Sequence, residues 1–148
     1  MPHQIKRDKY FWTIALQTVC VNIFLGSFGP AQPLLRADQG TSLTIAGLHG
    51  TALGVASIAA GFANPHLAHR FGRSRTGWMG LGFFAVGLTL FVASPPVLIT
   101  IIAALITGFG TSITINNSLT SINNHYGKMA PIAITQANGI ASAGYVIG

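Results

Sequence analysis

Five runs of apolar residues, each free of Asp, Glu, Lys and Arg, alternate with short polar stretches along the chain, at about 11–30, 43–63, 77–93, 97–117 and 132–148. Each run holds about 17–21 residues, and at about 1.5 Å per residue a helix of that length crosses a hydrocarbon core of about 30 Å. Buried helices of a soluble protein would leave more polar face behind. The pattern therefore predicts an all-α integral membrane protein, a multi-span bundle of about five transmembrane helices forming one domain over 1–148. Ser94-Pro95-Pro96 reads as a tight turn, since proline cannot continue a helix. The other links read as about 9–14 residues.

Small residues recur at helical spacing within the runs, where lipid-embedded helices need them for close approach. The second run carries Gly47, Gly50, Gly54, Ser57 and Gly61, the fourth Ala104, Gly108 and Thr111, and the fifth Ala137, Ala141, Gly144 and Gly148. Each set keeps one face and predicts a packing seam.

Composition narrows the class. Of 148 residues, 50% are apolar and only 7% charged, against about 25% charged in an ordinary soluble domain. Both acidic residues are aspartates, and the mean hydropathy is +0.56. So few charges cannot coat a cytosolic enzyme, and so much apolar residue excludes a disordered chain. The single Cys20 excludes an internal disulfide framework and a cysteine-based zinc site. A pI near 10.3 would suit a nucleic-acid partner, but the basic residues sit in clusters between apolar runs, which is topology rather than nucleic-acid binding. Lys6, Arg7, Lys9, Arg70, Arg73, Arg75 and Lys128 share one side and Arg36 lies alone on the other. The positive-inside rule then places the N-terminus in the cytoplasm of a multi-pass cell-membrane protein.

With no carboxylate in any run, the chemistry available inside the bilayer is that of amides, hydroxyls and one imidazole. Thr18, Asn22 and Gly26 share a face of the first helix, with Asn22 near mid-depth and Gln17 about 140° away. Thr135, Asn138, Ser142 and Tyr145 share a face of the fifth, Gln136 points nearly opposite, Asn117 lies toward the inner end of the fourth, and His49 lies in the outer third of the second. Polar side chains within spans either join helices or line a water-filled cavity. Asn22 and Asn138 are the central expected contacts of such a cavity, with His49, Gln17, Asn117 and Gln136 around them. No nucleophile–base pair, metal-ligand spacing or phosphate loop is legible, so no enzyme activity, metal or cofactor is expected.

The most specific local signal is Asn64-Pro65-His66-Leu67-Ala68-His69-Arg70-Phe71-Gly72-Arg73-Ser74-Arg75, a hairpin with three arginines and a glycine at its turn. Gly72 suits a left-handed backbone there. Here the chain resembles the major facilitator superfamily, whose signature between helices two and three runs Gly-x-Leu-Ala-Asp-Arg-Phe-Gly-Arg-Arg. Leu67, Ala68, Arg70, Phe71, Gly72 and Arg73 fall in register, while Pro65 and His69 stand where the family usually has Gly and Asp. In the family that Asp helps latch the inner side against the other half. Gly29-Pro30 and Pro33 resemble the end of the family's first helix, Ser42 to Gly50 its entry to helix two, and Gly108-Phe109-Gly110 its small-residue helix four. Ala104 stands where many proton-coupled members carry Arg.

The resemblance implies secondary transport of a small solute by rigid-body rocking, with helices one, two, four and five lining the cavity. It implies twelve spans in two six-helix halves, so five spans would form an incomplete N-terminal half. The partners expected are a small-molecule substrate and the lipid bilayer, with the coupling ion undefined. The other reading of an apolar chain this short is an integral membrane structural or assembly subunit that transports nothing.

Overall fold

The computed structural model describes residues 5–93 and 96–148. The expected turn at Ser94-Pro95 lies outside the described residues, apart from Pro96. Five α-helices follow in order: α1 Lys9–Gln39, α2 Leu43–Phe71, α3 Arg73–Ala93, α4 Val97–Tyr126 and α5 Ala130–Ile147. Among the described residues there is no strand. Four stretches are long and apolar enough to cross a membrane: Lys9–Gln39, Leu43–Phe71, Arg73–Ala93 and Val97–Ile147. The last spans 51 residues and contains a reversal. Gly127, at φ 51° and ψ −119°, opens a single 3-10 turn, Gly127–Met129, after which α5 starts.

Contacts between helices fix their directions. His49 of α2 meets Thr100 of α4, and fifteen residues on Asn64 meets Asn117, so α2 and α4 run parallel. Gly87 of α3 faces Ala103 and Thr107, and Gly80 faces Ile113 and Thr114, so α3 and α4 are antiparallel. Asp8, capping α1, meets His125 near the end of α4, while Gln39 at the far end of α1 reaches Thr100. α5 follows α1 in parallel: Ala133 and Ala137 pack on Phe11, Ile14 and Ala15, and Gly144 packs on Val19 and Ile23. The chain thus crosses the bundle five times with alternating direction. α4 is its axis, with Ala103, Ala104, Thr107, Gly108, Ile113 and Thr114 all buried.

Several sequence expectations are revised here. α1 does not end at Gly29-Pro30 or Pro33 but runs to Gln39 with both prolines inside. Each proline removes one intrahelical hydrogen bond, which can bend a helix without ending it. The stop comes at Gly40, left-handed at φ 59° and ψ 32°, where the N–H groups of Gly40 and Thr41 bond Ala37 and Arg36 carbonyls at 3.3 and 3.2 Å. The links are also shorter than 9–14 residues, because polar turns flanking each apolar run continue the helix. Gly72 alone separates α2 from α3. The glycine stripe of α2 is not its seam: a Cβ at Gly47, Gly50, Gly54 or Gly61 would meet nothing within 4 Å. Ala46, His49, Ala52, Ala56 and Ala60 are buried instead, giving α2 an alanine seam offset from the glycines. The small residues of α4 and α5 do pack. A Cβ at Gly108 would come within 2.7 Å of the Leu53 carbonyl oxygen, and Ala137, Ala141 and Gly144 are buried against α1.

Candidate functional site

The polar residues divide into those that join helices and those left open. Along α2 and α4 they form a ladder. The His49 ring is fully buried, with Nε2 2.8 Å from Thr100 Oγ1 and Nδ1 3.2 Å from the Ala46 carbonyl. That carbonyl can only accept, so Nδ1 carries the hydrogen; the Thr100 hydroxyl, which also lies 2.9 Å from the Val97 carbonyl, has one hydrogen to divide between that carbonyl and Nε2. Gln39 Nε2 donates to the same hydroxyl oxygen at 3.1 Å, and Phe91 of α3 stands edge-on to the ring at 5.7 Å. Further along, Ser112 Oγ donates to the Ser57 carbonyl at 3.3 Å. Next, Asn117 Nδ2 donates to Asn64 Oδ1 at 2.6 Å and to the Ile113 carbonyl at 2.9 Å. His49 and Asn117 are therefore placed between helices, at opposite ends of one seam.

Gln136 of α5 accepts from Arg7 Nε at 2.8 Å, which ties the start of the chain to α5. Nearby, Asp8 accepts from the Phe11 N–H, His125 Nε2 and Tyr126 hydroxyl at 2.9, 2.8 and 3.0 Å. The Phe11 N–H, and after it His125, holds the Asp8 carboxyl at about 2, well below its ordinary 3.8.

The open group centres on amides, which lipid could not solvate. Asn138 is exposed midway along α5 with Tyr145 of the same face, whereas the exposed Thr135 and Ser142 beside them each donate to the carbonyl four residues back at 2.8 Å. Asn22 is half-buried midway along α1, and its side chain bonds to no described residue. Gly26, one turn further, lies against the backbone of Tyr145, at the end of the Asn138 face. Asn116, exposed on α4, reaches only Ser112 Oγ, at 3.4 Å. Asn116 is not among the polar residues expected of the cavity, where its neighbour Asn117 stands instead. The signal for it was the step of four joining Ser112, Asn116 and Thr120. By contrast, the exposed face of α3 beyond its first turn is nearly all apolar, Trp78, Phe83, Val86, Leu90 and Val92, and the hydroxyl of its exposed Thr89 is spent on the Ala85 carbonyl at 2.8 Å.

The hairpin motif is mostly helical. Leu67, Ala68, His69, Arg70 and Phe71 form the last turns of α2, and Arg73 opens α3. Gly72 sits at φ 83° and ψ 149°, a region open essentially to glycine alone, so the glycine-requiring positive φ is present, but with an extended ψ rather than the left-handed helical one expected. Arg70 lies over the Phe71 ring at 5.3 Å. Gln17 of α1 and Asn117 of α4 are brought to one cleft, which Arg73 also lines. Asn22, Asn138, His49 and Gln136 lie elsewhere. Among the described residues no cluster of three His, Cys, Asp or Glu side chains could hold a metal.

No curated protein and no solved structure matches the chain. The family model described as Major Facilitator Superfamily matches residues 14–148, which takes in most of α1, the Gly72 hairpin and all that follows. The five alternating helices and the hairpin motif thus have one common explanation, and the chain belongs to the major facilitator superfamily of membrane transporters.

Proposed function

We propose that the five helices serve as part of the N-terminal half of a secondary transporter that moves a small polar solute through a water-filled cavity, working against a facing helical half. The observation that carries this is the exposure of Asn116 and Asn138 within long apolar helices. An amide facing hydrocarbon loses its hydrogen bonds at a cost of several kcal/mol, about 4–8 on an alkane scale, so an exposed amide at membrane depth marks water or protein. Asn138 and Asn22 are the central contacts, with Asn116 added from α4. All three are neutral, which favours a solute recognised by hydrogen bonding. His49, fully buried with both ring nitrogens against protein oxygens, supports the outer ends of α1, α2 and α4 rather than the solute. The basic hairpin puts the N-terminus and Gly72 on the cytoplasmic side of the cell membrane.

Uptake into proteoliposomes that carry these helices together with the facing half, screened over a panel of radiolabelled polar solutes, tests the reading. Asn138→Ala and Asn116→Ala are expected to weaken apparent affinity for the transported solute by about 5- to 150-fold, corresponding to about 1–3 kcal/mol for an unpaired partner. The amount of protein in the membrane should stay the same. Unaltered affinity in both variants contradicts the assignment, and no uptake of any solute favours a non-transporting subunit.

A further inference from the structure

The cleft at the Gly72 end, between α1, α3 and α4, has a donor and acceptor set that the bundle itself leaves unused. Its cavity is about 130 Å³, lined by Gln17 of α1, by Arg73, Ser74 and Trp78 of α3, and by Asn117 and Ser118 of α4 among others. Arg73 makes no hydrogen bond or ion pair with any described residue, and no acidic side chain lines the cleft. The first helical bond of α3 is Thr76 N–H to the Gly72 carbonyl at 3.0 Å. The N–H groups of Arg73, Ser74 and Arg75 therefore precede the hydrogen-bond ladder, at the positive end of a 21-residue helix.

Two further groups are buried without partners. Asn117 is 1% exposed and Ser118 5%, and Asn117 Oδ1 and Ser118 Oγ bond to no described residue. Both hydrogens of Asn117 Nδ2 are spent on Asn64 and Ile113, so its oxygen is left as a buried acceptor. Such a group is costly to leave unpaired. The complement of this set is a group that carries negative charge and also a hydrogen-bond donor.

We propose that the cleft binds a phosphate group bearing a donor of its own. The phosphate oxygens sit on Arg73 and the free N–H groups of α3, and a hydroxyl or ammonium hydrogen reaches Asn117 Oδ1. A guanidinium and a helix N-terminus are a matched pair for phosphate. Tyr10 and Trp78, half-exposed beside the cleft, are the side chains that favour the headgroup level of a bilayer. Two sources carry this chemistry, a phospholipid headgroup and free phosphate. The binding does not require that the chain transport anything.

Trp78 is a reporter in a Trp12→Phe background, since the sequence has two tryptophans. The purified protein is placed in phosphatidylcholine nanodiscs with about one fifth phosphatidylglycerol, one lipid or the other brominated high on its acyl chains. Quenching by brominated phosphatidylglycerol at least threefold above its share of the lipid is expected, lost in Arg73→Gln and in Gln17→Glu but kept in Arg75→Gln. Free phosphate as the source would instead give an emission shift on adding millimolar inorganic phosphate to phosphatidylcholine-only discs, again lost in Arg73→Gln. Quenching in proportion to lipid share with no response to phosphate overturns the proposal. So does a response that survives both Arg73→Gln and Gln17→Glu in protein that remains helical by circular dichroism.

Discussion

Gly72 shows what a single residue contributes at the α2–α3 link. A Cβ there would touch nothing within 4 Å, so its requirement is purely conformational. Gly72→Val should cost about 1–3 kcal/mol of stability through backbone strain, whereas Arg75→Ala, on an exposed side chain, should cost little. Chemical denaturation in a fixed detergent compares them, and equal midpoints would remove the argument. Asp8 makes a second prediction at this scale. Its carboxyl is depressed from 3.8 to about 2, so the ionised form is the one that holds Phe11, His125 and Tyr126. The clasp is complete above about pH 4 and is lost as pH falls through about 2. A carboxyl NMR titration of Asp8 should show a midpoint near 2, and a midpoint at 3.8 would mean the clasp is open in solution. The need for a glycine at the hairpin was legible because a short hairpin needs a positive φ, though not the extended ψ that Gly72 takes. The clasp was not, because Asp8 and His125 are 117 residues apart and neither has a distinctive local pattern.

The apolar runs located every helix, since crossing a bilayer demands a length and a composition that sequence displays directly. Their ends were harder to read. Pro30 and Pro33 signalled a stop that α1 overrides, and the polar turns at 31–39, 64–71 and 118–126 stay helical because Pro33 and Pro65 each cost one bond of the ladder without ending it and, among the described residues, φ turns positive only at Gly40, Gly72 and Gly127. Which face of α2 packs was also hidden. Its glycines and alanines both recur at helical spacing, and only the partner helix decides between them. The same limit applied to Asn117, whose role emerged when α4 met Asn64 on α2. That pair supports a prediction for the seam: the double-mutant cycle of Asn64→Ala and Asn117→Ala should give a coupling energy of about 0.6 kcal/mol. A coupling of zero would mean that the seam is held by alanine packing alone.

Across the whole molecule, the bundle presents two kinds of surface. The outer face of α3, with Phe83, Val86 and Val92 exposed, suits hydrocarbon. The faces of α4 and α5 that carry Asn116 and Asn138 suit water. This asymmetry was partly legible: the amides of α1 and α5 were evident in sequence, but their exposure depends on where α1 and α5 pack against each other, through Gly26, Gly144 and the backbone of Tyr145. Membership of a transporter superfamily gives the polar side a purpose, and its wetness can be measured without knowing the solute. Cysteines introduced singly as Asn138→Cys, Asn116→Cys and Val86→Cys, in a Cys20→Ser background, would be treated in native membranes with a small, charged methanethiosulfonate reagent. The account predicts that positions 138 and 116 react at least tenfold faster than position 86, since the reagent attacks thiolate in water and not thiol in lipid. Equal rates at the three positions, or faster reaction at 86, would contradict a water-filled cavity on the polar side of the bundle.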